Sequence, residues 1–235
     1  MREYLLDIPT IIIAICIYII ISKLTISAFL LKKEIILILL LIEIIGLIYD
    51  GIIILLGFSM SDNVLRFFNR LRFIFHGLLV PLLVVFCGYA LNLSEMKFYI
   101  NLIIAVILSI LGVILGIIAN LEINEGELIK RCTFSKDDSR TVKMLFTLMN
   151  IGCVIYMIVV GIILYVKNKD YLFFLSGFFM FVFSAIGPAT GNSDLNYLLS
   201  MYGEVLMIIF LYLFFHKKEH LKNKQIEDED ENKIN

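Results

Sequence analysis

IILILLLIEIIGLIYDGIIILLGF, residues 35–58, decides the fold. Only Glu43 and Asp50 interrupt its 24 positions, which are otherwise Ile, Leu, Gly, Tyr and Phe. A helix needs ~20 mostly apolar residues to cross a bilayer. At ~1.5 Å per residue this stretch reaches ~36 Å, enough to span. Apolar residues surround it on every side, as expected of a helix immersed in lipid and in other helices.

The same pattern recurs on both sides. Residues 8–31 precede it, with Lys23 near enough to an end to snorkel to the interface. Runs of comparable length follow at about 73–92, 98–119, 144–166, 171–186 and 195–215. The reading is an all-α, polytopic integral membrane helix bundle of about seven transmembrane helices. Residues 1–215 form one domain, and 216–235 form a charged tail expected to be disordered. The start of the chain carries Glu3 and Asp7 beside Arg2 and no small-residue cleavage pattern, so it reads as a retained first span.

Composition agrees. The 235 residues are 60% hydrophobic and only 17% charged, with mean hydropathy +0.95, against roughly a quarter charged in soluble domains. These values exclude a soluble enzyme, a disulfide scaffold and a disordered chain. A net charge of −1 implies no nucleic-acid partner, so membrane lipids are the expected surroundings. Cys16, Cys87 and Cys153 lie in apolar runs and Cys132 in a polar loop; none are spaced as C-x-x-C, so no cysteine metal site is expected. His216 and His220 share a helix face, but they sit beside Lys217 and Lys218 and read as solvated interfacial residues.

Within the fourth run Ala105, Ser109, Gly112 and Gly116 fall at helical spacing. Small residues there let two backbones approach. Packing inside the bundle is the first reading, and a homo-oligomer through Gly112 and Gly116 the second. The one loop roomy enough for its own folded elements is 120–143.

The polar exceptions gather toward the amino-terminal side of the bundle. Ionisable groups at membrane depth face the interior and have a partner or a task. Counting from the span ends at ~1.5 Å per residue, Asp50 lies ~10–12 Å down, His76 ~5 Å, Asn150 ~10 Å and Glu204 ~13 Å. Before span three, Asp62 is placed to cap an amphipathic interfacial helix bearing Arg66, Asn69 and Arg70, with Asn69, Arg72 and His76 at i, i+3, i+7. Guanidinium groups recognise carboxylate and phosphate bidentately. Asp50, His76 and Glu204 are therefore the candidate acid–base residues, with or without a metal-bound water. Arg66, Asn69, Arg70, Arg72 and Asn150 are the candidate contacts to an anionic amphiphile, the arginines also reading as lipid anchors. Glu43 shares the face of Asp50 and lies deeper.

Three functions follow. The first is an intramembrane enzyme acting on a lipid or anionic amphiphile. The second is a component of a small-solute or ion transporter, with Glu43, Asp50 and Glu204 as protonatable groups. The third is a non-catalytic sensor or assembly partner. No cofactor is named by the sequence, and a retinal-type receptor is disfavoured because span seven lacks Lys. Lysine and arginine are nearly balanced across the two sides. Discounting the loop arginines, the expectation is a cell-membrane protein with its amino terminus out and carboxyl terminus in.

Overall fold

The computed structural model describes residues 4–32, 34–126, 129–135 and 140–234. Arg2, Lys33 and Lys136 lie outside the described residues. Eight helices and one β-hairpin make up the described chain: α1 (Tyr4–Lys32), α2 (Ile35–Leu55), α3 (Asp62–Leu79), α4 (Leu82–Ala90), α5 (Glu95–Ile118), β1 (Leu121–Glu125), β2 (Lys130–Phe134), α6 (Arg140–Asn168), α7 (Leu172–Ala189) and α8 (Ser193–Ile234). Seven segments among these residues are long and apolar enough to cross a membrane, α3 and α4 together forming the third. The described chain is an all-α bundle of seven long apolar helices with almost no sheet.

Two stretches differ from the sequence reading. An interfacial helix separate from span three was expected, but residues 62–79 form one continuous helix. No proline interrupts them before Pro81, and the lone Gly77 does not stop a helix. Pro81, which lacks an amide hydrogen, then divides the span into α3 and α4. The second difference is the tail. α8 does not end near Phe215 but continues through the charged segment to Ile234. Gly203 is the last glycine and Pro188 the last proline, and the tail is rich in Glu and Lys, so nothing there breaks a helix. The side chains of 219–235, His220 and the acidic run 227–231 included, lie outside the described residues.

The main core lies where α1, α2, α4, α6 and α8 meet. Leu40, Ile44, Phe86, Met157, Ile208, Leu211 and Phe215 are all fully buried there. Between α3 and α5 the backbones themselves touch. A Cβ on Gly77 would overlap the backbone of Gly112, and one on Gly112 the backbone of Gly77. Gly116 is likewise closed off by Phe73 and Ile74. The small-residue stripe of α5 therefore faces α3 of the same chain.

The loop 120–143 contains an antiparallel hairpin in which Leu121 pairs with Phe134 and Glu125 with Lys130. Leu65 of α3, Ala119, Leu121 and Cys132 form a small second core beneath it. Lys130 reaches Asp62 at 2.9 Å and Glu125 at 2.7 Å. The backbone of Gly57 packs on the Lys130 carbonyl, and that of Gly126 on the Asp194 carboxylate. These contacts hold the hairpin over one end of the bundle, where α2 ends and α3 and α8 begin.

Candidate functional site

Under the hairpin is a polar cavity of about 180 Å³. α2 contributes Asp50, α3 contributes Arg72, Phe73 and His76, and β2 contributes Arg131. α6 adds Phe146, and α8 adds Asn196, Tyr197, Ser200 and Glu204. The helical spacing explains the grouping: 72 and 76 share one face of α3, and 197, 200 and 204 share one face of α8.

Asp50 is the hub. One carboxylate oxygen forms an ion pair with Arg72 Nε, and the other accepts a 2.9 Å hydrogen bond from the Tyr197 hydroxyl. The Asp50 and Arg72 side chains are only 17% and 12% exposed, so most of this pairing is shielded from water. Arg72 is fixed a second time, donating from Nη1 to Asn69 Oδ1 at 2.8 Å. Asn69 is fully buried, donates to the Leu65 carbonyl and accepts from the Cys132 amide of β2. One amide side chain thus ties the guanidinium to both its own helix and the hairpin.

Arg131 arrives from the hairpin and lies 5.0 Å from the Tyr197 ring centroid, while Arg72 lies 5.7 Å from the same ring. Two guanidinium groups flank one phenol. Burial, and secondarily the like charge of Arg72, pull Arg131 down to about 10. It remains cationic at neutral pH, in surroundings that an anion between the two arginines would improve. His76 stacks on Phe146 with ring centroids 6.1 Å apart.

A second cavity of about 340 Å³ adjoins the first. It shares His76, Ser200 and Glu204 with the polar cavity, and its remaining wall is largely Val80, Leu83, Val154, Met180, Phe181 and Met207. Asn150 on α6 also lines it, with a buried Oδ1 that has no hydrogen-bond partner. Ile151 of α6 and Phe181 of α7, two of its lining residues, are exposed at the surface of the bundle. The apolar cavity therefore reaches the bundle surface at α6 and α7, and it meets the polar cavity at His76, Ser200 and Glu204.

Asp50, Arg72, His76 and Glu204 thus line one cavity, and Asn150 lines its neighbour. Asn69 is not in the wall but orients Arg72. Arg66 and Arg70 turn elsewhere, donating to the carbonyls of Leu121 and Ile117, where they cap the end of α5 and the start of the hairpin. No protein-family model matches the chain, and no curated protein is similar to it in sequence. Among the described residues no three His, Cys, Asp or Glu side chains converge as a metal-ligand set, Asp50, His76 and Glu204 included. Asp50 is already engaged by Arg72 and Tyr197.

Tyr197, Ser200 and Arg131 were missed from sequence. The first two carry a usable signal, since they share the helix face of Glu204. Arg131 carries none, because only the pairing of β1 with β2 and its docking on Asp62 and Asp194 bring it over the bundle.

Proposed function

We propose that the protein is an intramembrane site for an anionic amphiphile, on which His76 and Glu204 perform acid–base chemistry. The observation that carries this reading is the pair of cavities joined at His76, Ser200 and Glu204, one lined by two arginines and the other mostly apolar and reaching the surface at Ile151 and Phe181. A carboxylate or phosphate headgroup is drawn to Arg72 and Arg131, and the hydrocarbon chain lies between α6 and α7. The chain passes from lipid tails to an apolar wall, so it gains little by burial there and the headgroup carries the selectivity. The head-to-chain linkage then rests at the junction. Imidazole and carboxyl are the side chains best suited to moving a proton at such a linkage.

Arg131, which enters the cavity from the hairpin beside Arg72, adds a second guanidinium to the headgroup end and with it selectivity for negative charge. In the expected topology, with the amino terminus outside the cell membrane, the headgroup cavity faces outward and takes amphiphiles from the outer leaflet.

The test is equilibrium binding to the full chain in nanodiscs, using oleate and lysophosphatidate against the neutral analogues oleyl alcohol and monoolein. Arg131→Gln should weaken the anionic probes ~10–100-fold, the effect of losing a charge-assisted hydrogen bond of ~1.5–3 kcal/mol, and leave the neutral ones unchanged. Equal affinity for charged and neutral probes in the unaltered protein refutes the proposal. Turnover of a bound ester, abolished by His76→Gln or Glu204→Gln without loss of binding, separates the catalytic part from binding alone.

A further inference from the structure

Glu43 has no part in the site above, yet it is the most deeply placed carboxyl of α2. It is 3% exposed, and its Oε2 has no hydrogen-bond partner. The groups facing it are Tyr18 on α1, Asp50 on its own helix, Arg72 and His76 on α3, Cys153 on α6 and Glu204 on α8. Arg72, the arginine in the same chamber wall, is already paired with Asp50. A bare carboxylate in such surroundings is far costlier than a neutral carboxylic acid.

Beside Glu43 is a small chamber of about 20 Å³. Its wall includes Glu43, Gly46 and Leu79, together with Asp50, Arg72 and His76. The last three also line the polar cavity, so the chamber lies between that cavity and Glu43. A space of ~10–15 Å³ or more holds one water when two to four polar partners surround it. This chamber meets both conditions.

We propose that one water molecule occupies this chamber and makes Glu43 a proton-exchanging group connected to the polar cavity. The water accepts the carboxyl proton of Glu43 as it gives one of its own to the Asp50 carboxylate or to a His76 ring nitrogen. One proton moves, the water is regenerated, and Glu43 is left as carboxylate until the reverse step. The bundle then holds a proton store deeper than its ligand site. This inference stands whether or not the cavity takes an amphiphile.

Infrared spectroscopy of the full chain in nanodiscs tests it. A carbonyl band of a protonated carboxylic acid should be present in the unaltered protein and absent in Glu43→Gln. Glu43→Asp should move the band, which assigns it if the Gln variant does not accumulate. In heavy water the band should shift promptly, because the proton exchanges through the chamber. Gly46→Ala supplies the control. A Cβ at Gly46 would fall on the Leu79 side-chain tip, pushing Leu79 within the chamber while leaving every polar group in place. Exchange in that variant should slow about tenfold or more, as loss of a bridging water's hydrogen bonds requires. Lack of any Glu43-dependent band overturns the proposal. So does a band that resists exchange in the unaltered protein, or one that exchanges equally fast in Gly46→Ala.

Discussion

The Asp50–Arg72 pair makes a prediction that can be worked through. Asp50→Asn removes the charge but keeps the side-chain shape. The ion pair with Arg72 and the hydrogen bond from Tyr197 both lose their charged acceptor. Each charge-assisted bond is worth ~1.5–3 kcal/mol, and stranding one member of a buried pair costs ~3–5 kcal/mol. The side chains line a cavity and retain slight exposure, so water offsets part of this, and we expect ~2–4 kcal/mol. For a chain of this length that lowers Tm by roughly 4–16 °C. Arg72→Gln should cost a similar amount, since it leaves the Asp50 charge held by Tyr197 alone and deprives Asn69 of a donor. The double variant strands neither charge. Its cost should therefore fall well short of the two single costs combined, with a coupling of at least ~1.5 kcal/mol. Thermal unfolding in nanodiscs, run as a double-mutant cycle, measures this. Additivity within ~0.5 kcal/mol would show that the two side chains do not depend on each other, and the account of the site would fall.

Gly77→Ala or Gly112→Ala should destabilise by ~3 kcal/mol or more, because the added methyl meets backbone rather than a movable side chain. Gly152→Ala, with nothing within 4 Å of the new Cβ, should instead be neutral or stabilise by up to ~1 kcal/mol; similar unfolding midpoints for all three would contradict the packing of α3 on α5. Val154→Trp narrows the apolar cavity and should shift binding toward shorter chains, because the long ones no longer fit, as measured with a series of fatty acids. Arg131 sets a pH dependence. A cation whose folded value is lowered to about 10 is charged below that pH and loses its charge above it. Anion affinity should therefore fall as pH rises through about 10, with the midpoint displaced upward by the bound anion, and Arg131→Gln should flatten that limb of the binding profile.

Much of this molecule is legible along the chain. Seven apolar runs determine seven helices, because a backbone in hydrocarbon must satisfy its own hydrogen bonds and a helix does so within one segment. Asp50, His76 and Glu204 stand out for the same reason, as costly groups placed at similar depth from one end. Glycine spacing in α5 indicates a close approach, but the neighbour, Gly77 of α3, is visible only once the helices are packed. Local sequence also misjudged one break: residues 62–79 look like a surface helix followed by a span, because hydropathy changes there while the helix does not.

Which arginine does what is settled by packing alone. Arg66, Arg70 and Arg72 look alike in sequence, yet helical phase turns two toward carbonyls of α5 and the hairpin and the third toward Asp50. Arg131 enters because a strand that starts some fifty residues after the end of α3 is pinned across the bundle's end. Burial and depth are properties of single segments and can be read one run at a time. The meeting of Asp50, Arg72, Arg131 and Tyr197 joins four segments whose relative rotation is fixed by packing, and no single run of residues records it.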